Sequence, residues 1–281
     1  MKVNKIDLYK YFGIERPKNG AGYLNEYIIE RNQTDNYTAL KQRLRPAMLV
    51  IAGGGYSFVS EREKEPIAIQ YLAQGYNAFT LEYSVKPIGH PYQLLEGCMA
   101  MVYIREHAKE YHIIENKVGV VGFSAGGHLT GMLATYNNEP EIIELLGERA
   151  KNIVPNAVVF SYAVITLGKL SHQITANVLS YGKEELKERF SIEKRVNKNS
   201  APAFIWTTKN DGAVPMENST MLAKAYENAG VPYKLVLFEQ GIHGLALANE
   251  ETVCVNEEVQ QWLPLQFNWL KNMGFKVDIE K

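Results

Sequence analysis

The chain has 281 residues, 46% hydrophobic and 22% charged, and its 30 basic side chains nearly cancel 31 acidic ones without any block of like charge. That balance argues against nucleic acid or an anionic membrane surface as a partner, and the length suffices to bury one large core, so a single domain over residues 1–281 is expected. MKVNKIDLYK lacks the apolar run of a signal peptide and no later stretch approaches the roughly 20 apolar residues of a membrane span, so no membrane partner and a cytoplasmic location are expected.

In chain order, residues 1–45 are the least regular. Within them YLNEYIIE reads as an antiparallel edge strand of the main sheet, followed by a polar stretch. Beyond it, 47–51, 76–82, 118–122, 156–161, 203–207 and 233–238 are short, apolar and rich in β-formers, and are bounded by Gly, Pro or Asn. Helical spacing fills the intervals 63–74, 93–110, 125–136, 217–229 and 256–272. Near-continuous apolar strands need cover on both faces, so the fold class is α/β, a mostly parallel, doubly wound sheet with helices on each side. Residues 163–200 are longer than a crossover needs and read either as a solvated helical excursion or as a lid. Cys98 and Cys254 have neither disulfide nor zinc spacing and read as two buried thiols; no metal or organic cofactor is expected.

Gly122-Phe123-Ser124-Ala125-Gly126 stands where the strand VGVV turns into GHLTGMLATY. A tight strand-to-helix elbow strains the serine and exposes its hydroxyl at the carboxyl end of the sheet, the placement a nucleophile needs; the alternative is a turn that packs or binds an anion. A serine needs a base, and six histidines compete. His107 and His112 lie in or after a charged helix, His90 in a Pro-flanked loop, His172 in the excursion, and His128 one helical turn past Ser124, where packing suits it better. His243, in EQGIHGLAL after the last core strand, is placed to reach the serine. Asp211, in TTKNDGAVP at another strand end, is the carboxylate to orient that imidazole, with Glu217 in reserve. The order Ser124, Asp211, His243 is that of an α/β hydrolase. Gly53-Gly54-Gly55-Tyr56 follows the strand AMLVI, and the N–H groups of Gly54, Gly55 and Ala125 are the candidate oxyanion donors. The run matches neither nucleotide fingerprint. Tyr56, Tyr83, His90 and Phe123 are candidates to line the pocket.

These segments, RPAMLVIAGGGYSFVSEREKEPIAIQYLAQGYNAFTLEYSV, VGVVGFSAGGHLTGMLA, KNDGAVPMENS and EQGIHGLALA, resemble the esterase/lipase branch of the α/β-hydrolase superfamily, close to bacterial acetyl esterases and acetyl-xylan-esterase-related sugar hydrolases. The resemblance implies Ser124 as nucleophile, His243 as base, Asp211 as acid, and a small ester with a short acyl chain as substrate, with an acetylated sugar among the candidates. Two departures stand out: Ala52 where many relatives have His, and Asn210 where many have a first Asp. A peptidase of the oligopeptidase-like branch and a binding protein without turnover are the alternative readings. Self-association into a homo-oligomer stays open.

Overall fold

The computed structural model describes residues 1–30, 43–136, 138–252 and 254–279. The polar stretch expected after the first strands falls largely in 31–42, outside the described residues.

Strand β1 (Lys2–Asp7) leads into a short helix α1 (Leu8–Phe12), then β2 (Tyr23–Ile28) and β3 (Arg43–Ile51). Helix α2 (Glu65–Ala73), β4 (Asn77–Glu82), α3 (Tyr92–Glu106) and β5 (Ile113–Phe123) follow, and β5 runs directly into α4 (Ser124–Ala134). After α5 (Pro140–Leu146) come β6 (Ala157–Ser161), the excursion helices α6 (Gln173–Ser180) and α7 (Glu184–Phe190), and β7 (Ala203–Thr208). The chain ends with α8 (Glu217–Ala229), β8 (Tyr233–Phe238), α9 (Glu257–Gln260), α10 (Trp262–Asn272) and a two-residue strand β9 (Asp278–Ile279).

The sheet order is β1-β2-β4-β3-β5-β6-β7-β8, with β9 pairing β3; β4 through β8 run parallel, and β2 is antiparallel to both its neighbours. Strand period two divides the core between the faces. On β3, Leu49 and Ile51 face α3 and α4 with Leu95, Met99 and Leu129, whereas Met48 and Val50 face α2 and α10 with Tyr71, Trp262 and Leu270. Both faces of the parallel strands are therefore covered by helices, as the apolar strand runs require.

Three expectations need correction. YLNEYIIE supplies β2, but β2 is interior, because the more polar KVNKID forms β1 outside it with alternate residues half exposed. The expected helix over 256–272 is divided at Gln261: Pro264 has no N–H to give residue 260, so α9 closes there and Pro264 sits in the first turn of α10. Cys98 is buried, but Cys254 is exposed, since it lies in the loop before α9 rather than on a helix face.

The excursion is tied down at both ends. Asn218 accepts from the N–H groups of Ile165 (3.0 Å) and Thr166 (3.1 Å) and donates to the Leu170 carbonyl (3.0 Å). Near its far end Arg189 donates to Glu139 and Glu141. No described helix is long and apolar enough to cross a membrane.

Candidate active site

Sheet order reverses between β3 and β5: the chain leaves β3 for β4 on one side and returns to β5 on the other. A crevice at the carboxyl ends of strands at such a switch point is the general ligand position in open α/β sheets. Here those two ends carry Gly53–Tyr56 and Ser124.

Ser124 has φ +51, a left-handed conformation that costs a non-glycine residue about 1–3 kcal/mol. The turn is held by close backbone packing: a Cβ at Gly126 would come 2.3 Å from the carbonyl oxygens of both Ile51 and Ala52. The Ser124 carbonyl accepts from Val164 N–H at 3.0 Å, which fixes the elbow to the start of the excursion.

His243 Nε2 lies 2.8 Å from Ser124 Oγ, and its Nδ1 lies 2.7 Å from Asp211 Oδ2. A carboxylate only accepts, so Nδ1 carries the proton and Nε2 is left to accept from the serine hydroxyl. The other oxygen of Asp211 accepts from the N–H groups of Ala213 and Val214, each at 2.9 Å. Its side chain is 1% exposed, against 24% for His243, so the carboxylate is rigid and dry while the imidazole faces the crevice. Glu217 stands exposed at the start of α8.

The loop after β3 turns with Gly54 at φ +125, where a Cβ would fall 2.1 Å from the Phe58 carbonyl oxygen. Its carbonyl accepts from Ser57 N–H (2.9 Å) and Phe58 N–H (3.2 Å). Among the described residues the N–H groups of Gly54 and Gly55 donate to nothing, and Ala125 lies in the first turn of α4, whose amides have no intrahelical acceptor.

A cavity of about 240 Å³ opens over Ser124. Its walls are Gly54, Gly55, Ser57, Phe58 and Ser60 of this loop, Arg62 and Glu63 of the next turn, His172 and Ile174 of the excursion, and His243 with Gly244. Ser60 Oγ is buried and has no hydrogen-bond partner among the described residues. Partial burial, with His243 nearby, holds the His172 imidazole below its ordinary pKa.

None of the four residues expected to line the pocket does so. Tyr56, Tyr83 and Phe123 are core side chains: Tyr83 donates to the Ala52 carbonyl at 2.8 Å and Tyr56 pairs with His128 at 3.1 Å, both beneath the glycine loop, and Phe123 packs against Trp262 on the opposite face of the sheet. His90 bonds Glu141 at 2.7 Å and packs on Phe190. Nearness to a motif along the chain did not mean facing the cavity. The cavity residues that sequence reasoning misses are Ser57, Phe58, Ser60, Arg62, Glu63, Ile174 and Gly244, and His172 stands among the sequence candidates only as a base. Phe58, Ser60, Arg62 and Glu63 sit within ten residues of the glycine run, and that proximity was the one available signal.

Comparison with known proteins identifies the family and the fold. A family model described as BD-FAE matches residues 35–226. An endo-1,4-β-xylanase B from Butyrivibrio fibrisolvens is 36% identical over 219 residues, 74% of this chain and 33% of that protein. An acetylxylan esterase from Xylanibacter ruminicola is 27% identical over 236 residues, 81% of this chain and 45% of the relative. The chain thus spans less than half the length of either curated relative. The crystal structure of an acetyl ester-xyloside bifunctional hydrolase from Caldicellulosiruptor lactoaceticus superimposes with a TM-score of 0.82 at 29% identity, covering 97% of each chain. Most of the sequence lies inside the matched model and the whole sheet follows a solved relative, so the chain belongs to the BD-FAE family and has the α/β-hydrolase fold.

Proposed function

We propose that the chain is a serine carboxylic-ester hydrolase acting on short-acyl, acetyl-type esters, with acetylated sugars as the natural substrate class. The observation that carries this reading is the continuous hydrogen-bond chain from Asp211 through His243 to Ser124, beside the N–H groups of Gly54 and Gly55, which have no partner among the described residues.

In this mechanism His243 Nε2 takes the Ser124 proton as Oγ bonds to the ester carbonyl carbon. The carbonyl oxygen becomes an oxyanion held by the N–H groups of Gly54, Gly55 and Ala125. Collapse expels the alcohol, which receives the proton from Nε2, and leaves an acyl group on Ser124. Water then gives a proton to His243 as it attacks the acyl carbon, and the acid departs with the serine restored. Asp211 keeps Nδ1 protonated and stabilises the transient imidazolium.

A cavity of about 240 Å³ supports a small acyl group, and the unpartnered Ser60 hydroxyl supports a polar alcohol portion. Two relatives named for acetylxylan esterase and for acetyl ester and xyloside hydrolysis support the sugar. Cytoplasmic location and a single domain over 1–281 belong to the same reading.

The test is hydrolysis of a p-nitrophenyl ester series by wild type and Ser124→Ala, followed by acetylated xylo-oligosaccharides. Activity should peak at acetate and vanish with Ser124→Ala. Acetate release from the oligosaccharides no faster than from the aryl ester removes the sugar assignment; equal turnover by wild type and Ser124→Ala removes the serine mechanism.

A further inference from the structure

Glu63 closes the short 3-10 turn Glu61–Glu63 between β3 and α2 and is only 2% exposed. Its carboxylate makes two hydrogen bonds, each to a donor: Oε2 accepts from Gly53 N–H and Oε1 from the Tyr162 hydroxyl, both at 2.7 Å. Among the described residues no lysine or arginine pairs with it. A carboxylate buried without a cation is costly, and the two donors it accepts from are what a neutral side chain would serve less well.

The two donors lie behind different parts of the cavity wall, one at the start of the glycine loop and one against the His243 loop. Gly53 begins the loop whose next two amides are the candidate oxyanion donors, and a Cβ placed on Gly53 would lie 2.9 Å from Glu63 Oε2 and 2.8 Å from Ser124 Cβ. Tyr162, itself buried, packs behind the His243 loop. Its oxygen accepts from Ala246 N–H at 2.9 Å, three residues past His243, and its ring meets the His243 imidazole edge-on at 5.0 Å between centroids. Adjacent Arg62 reinforces the tie by donating Nε–H to the Gly244 carbonyl at 2.8 Å. One dipeptide thereby holds the loop that carries the base and the loop that carries the oxyanion donors.

We propose that Glu63 is a positioning residue for the ester hydrolysis proposed above, fixing the oxyanion loop through Gly53 and the His243 loop through Tyr162 and Ala246. The proposal rests on that reading of the site. The chemistry explains the residue type. Gly53 N–H and the Tyr162 hydroxyl both need acceptors, which a carboxylate supplies in one fork; a glutamine turns one of its two ends into a donor. Since the reacting groups must be held within a fraction of an ångström, releasing either loop weakens transition-state binding more than ground-state binding.

The experiment compares wild type, Glu63→Gln, Tyr162→Phe and the double variant on p-nitrophenyl acetate, with kcat expressed per serine titrated by a fluorophosphonate. An alkylboronic acid serves as the tetrahedral-adduct probe, and Ser124→Ala as the control on the underlying mechanism. Expected for Glu63→Gln is a kcat about 10–100-fold lower with KM within about threefold, and boronate affinity weaker by a similar factor. Tyr162→Phe should lose about 3–10-fold in kcat, and the double variant should be no worse than Glu63→Gln, because both act through one chain of contacts. Unchanged kcat per titrated serine, or additive losses in the double variant, overturns the assignment while leaving the serine mechanism standing. Retained turnover in Ser124→Ala overturns the mechanism and the assignment with it. Should Glu63→Gln fail to fold, Tyr162→Phe decides alone: a kcat within twofold of wild type overturns the proposal.

Discussion

Two histidines lie close to Ser124 and share almost nothing else. His128 is on α4, one turn past the serine; His243 is 119 residues away in a loop. His128 is 1% exposed, with Nε2 at 2.8 Å from the Phe190 carbonyl and Nδ1 at 3.1 Å from the Tyr56 hydroxyl. A carbonyl only accepts, so His128 carries its proton on Nε2 and receives one at Nδ1, the reverse of the tautomer that Asp211 sets in His243. Burial pushes the His128 pKa down to about 4, and among the described residues no carboxylate pairs with it to favour the cation. The same ring is a neutral strut beneath the glycine loop in one place and a candidate base in the other. What separates them is a carboxylate at one nitrogen and an opening to the crevice at the other.

The comparison breaks most visibly at His243. His243→Ala should lower kcat/KM on a short-chain ester by about ten-thousand-fold or more, measured at saturating and limiting substrate; a loss below tenfold removes His243 as base. Asp211→Asn keeps the shape but lets Nδ1 accept, and should cost about a hundred- to ten-thousand-fold, chiefly in kcat. His128→Phe reverses the pattern. Turnover per folded molecule should stay within about tenfold, while urea unfolding at pH 7 reports a loss of roughly 3–5 kcal/mol, because the Tyr56 hydroxyl and Phe190 carbonyl are left buried without partners. A kinetic loss equal to that of His243→Ala would show that the two histidines are not distinct in kind.

The pH dependence sharpens the same contrast. The folded pKa of His128 lies below its ordinary 6.5, so its contribution to stability is present above about 6.5 and is lost as pH falls toward about 4. Denaturation of wild type and His128→Phe at pH 7 and pH 4 should therefore show their stability gap narrowing by up to about 3 kcal/mol. A gap independent of pH would mean that His128 takes up its proton as readily in the folded protein as in the unfolded chain.

The alternation of strands and helices was legible because buried parallel strands must be apolar on both faces, and each predicted core strand has its counterpart. β1 was not, because KVNKID buries only part of one face at the edge of the sheet. Ser124, His243 and Asp211 could be picked out because each stands at a strand's carboxyl end beside glycine, which places them at one edge of the sheet before any coordinate is known. The cavity walls were not legible in this way. His172 and Ile174 reach the site from an excursion whose path depends on Asn218, and Glu63 meets Tyr162 across 99 residues of chain. Such pairings arise from packing between distant segments, and local periodicity carries no record of them.

The close packing of Gly126 on Ile51 and Ala52 bears on redesign. With no side-chain layer between the Ser124 turn and the end of the neighbouring strand, any bulk added there moves both together, so the serine and the adjoining glycine loop form one indivisible part. The excursion packs Leu167, Ala176, Leu179, Phe190 and Ile192 into the main core, so its replaceable part is confined to the side chains that face the cavity. A designer seeking a new substrate would exchange residues around His172 and Ile174 and leave the elbow untouched.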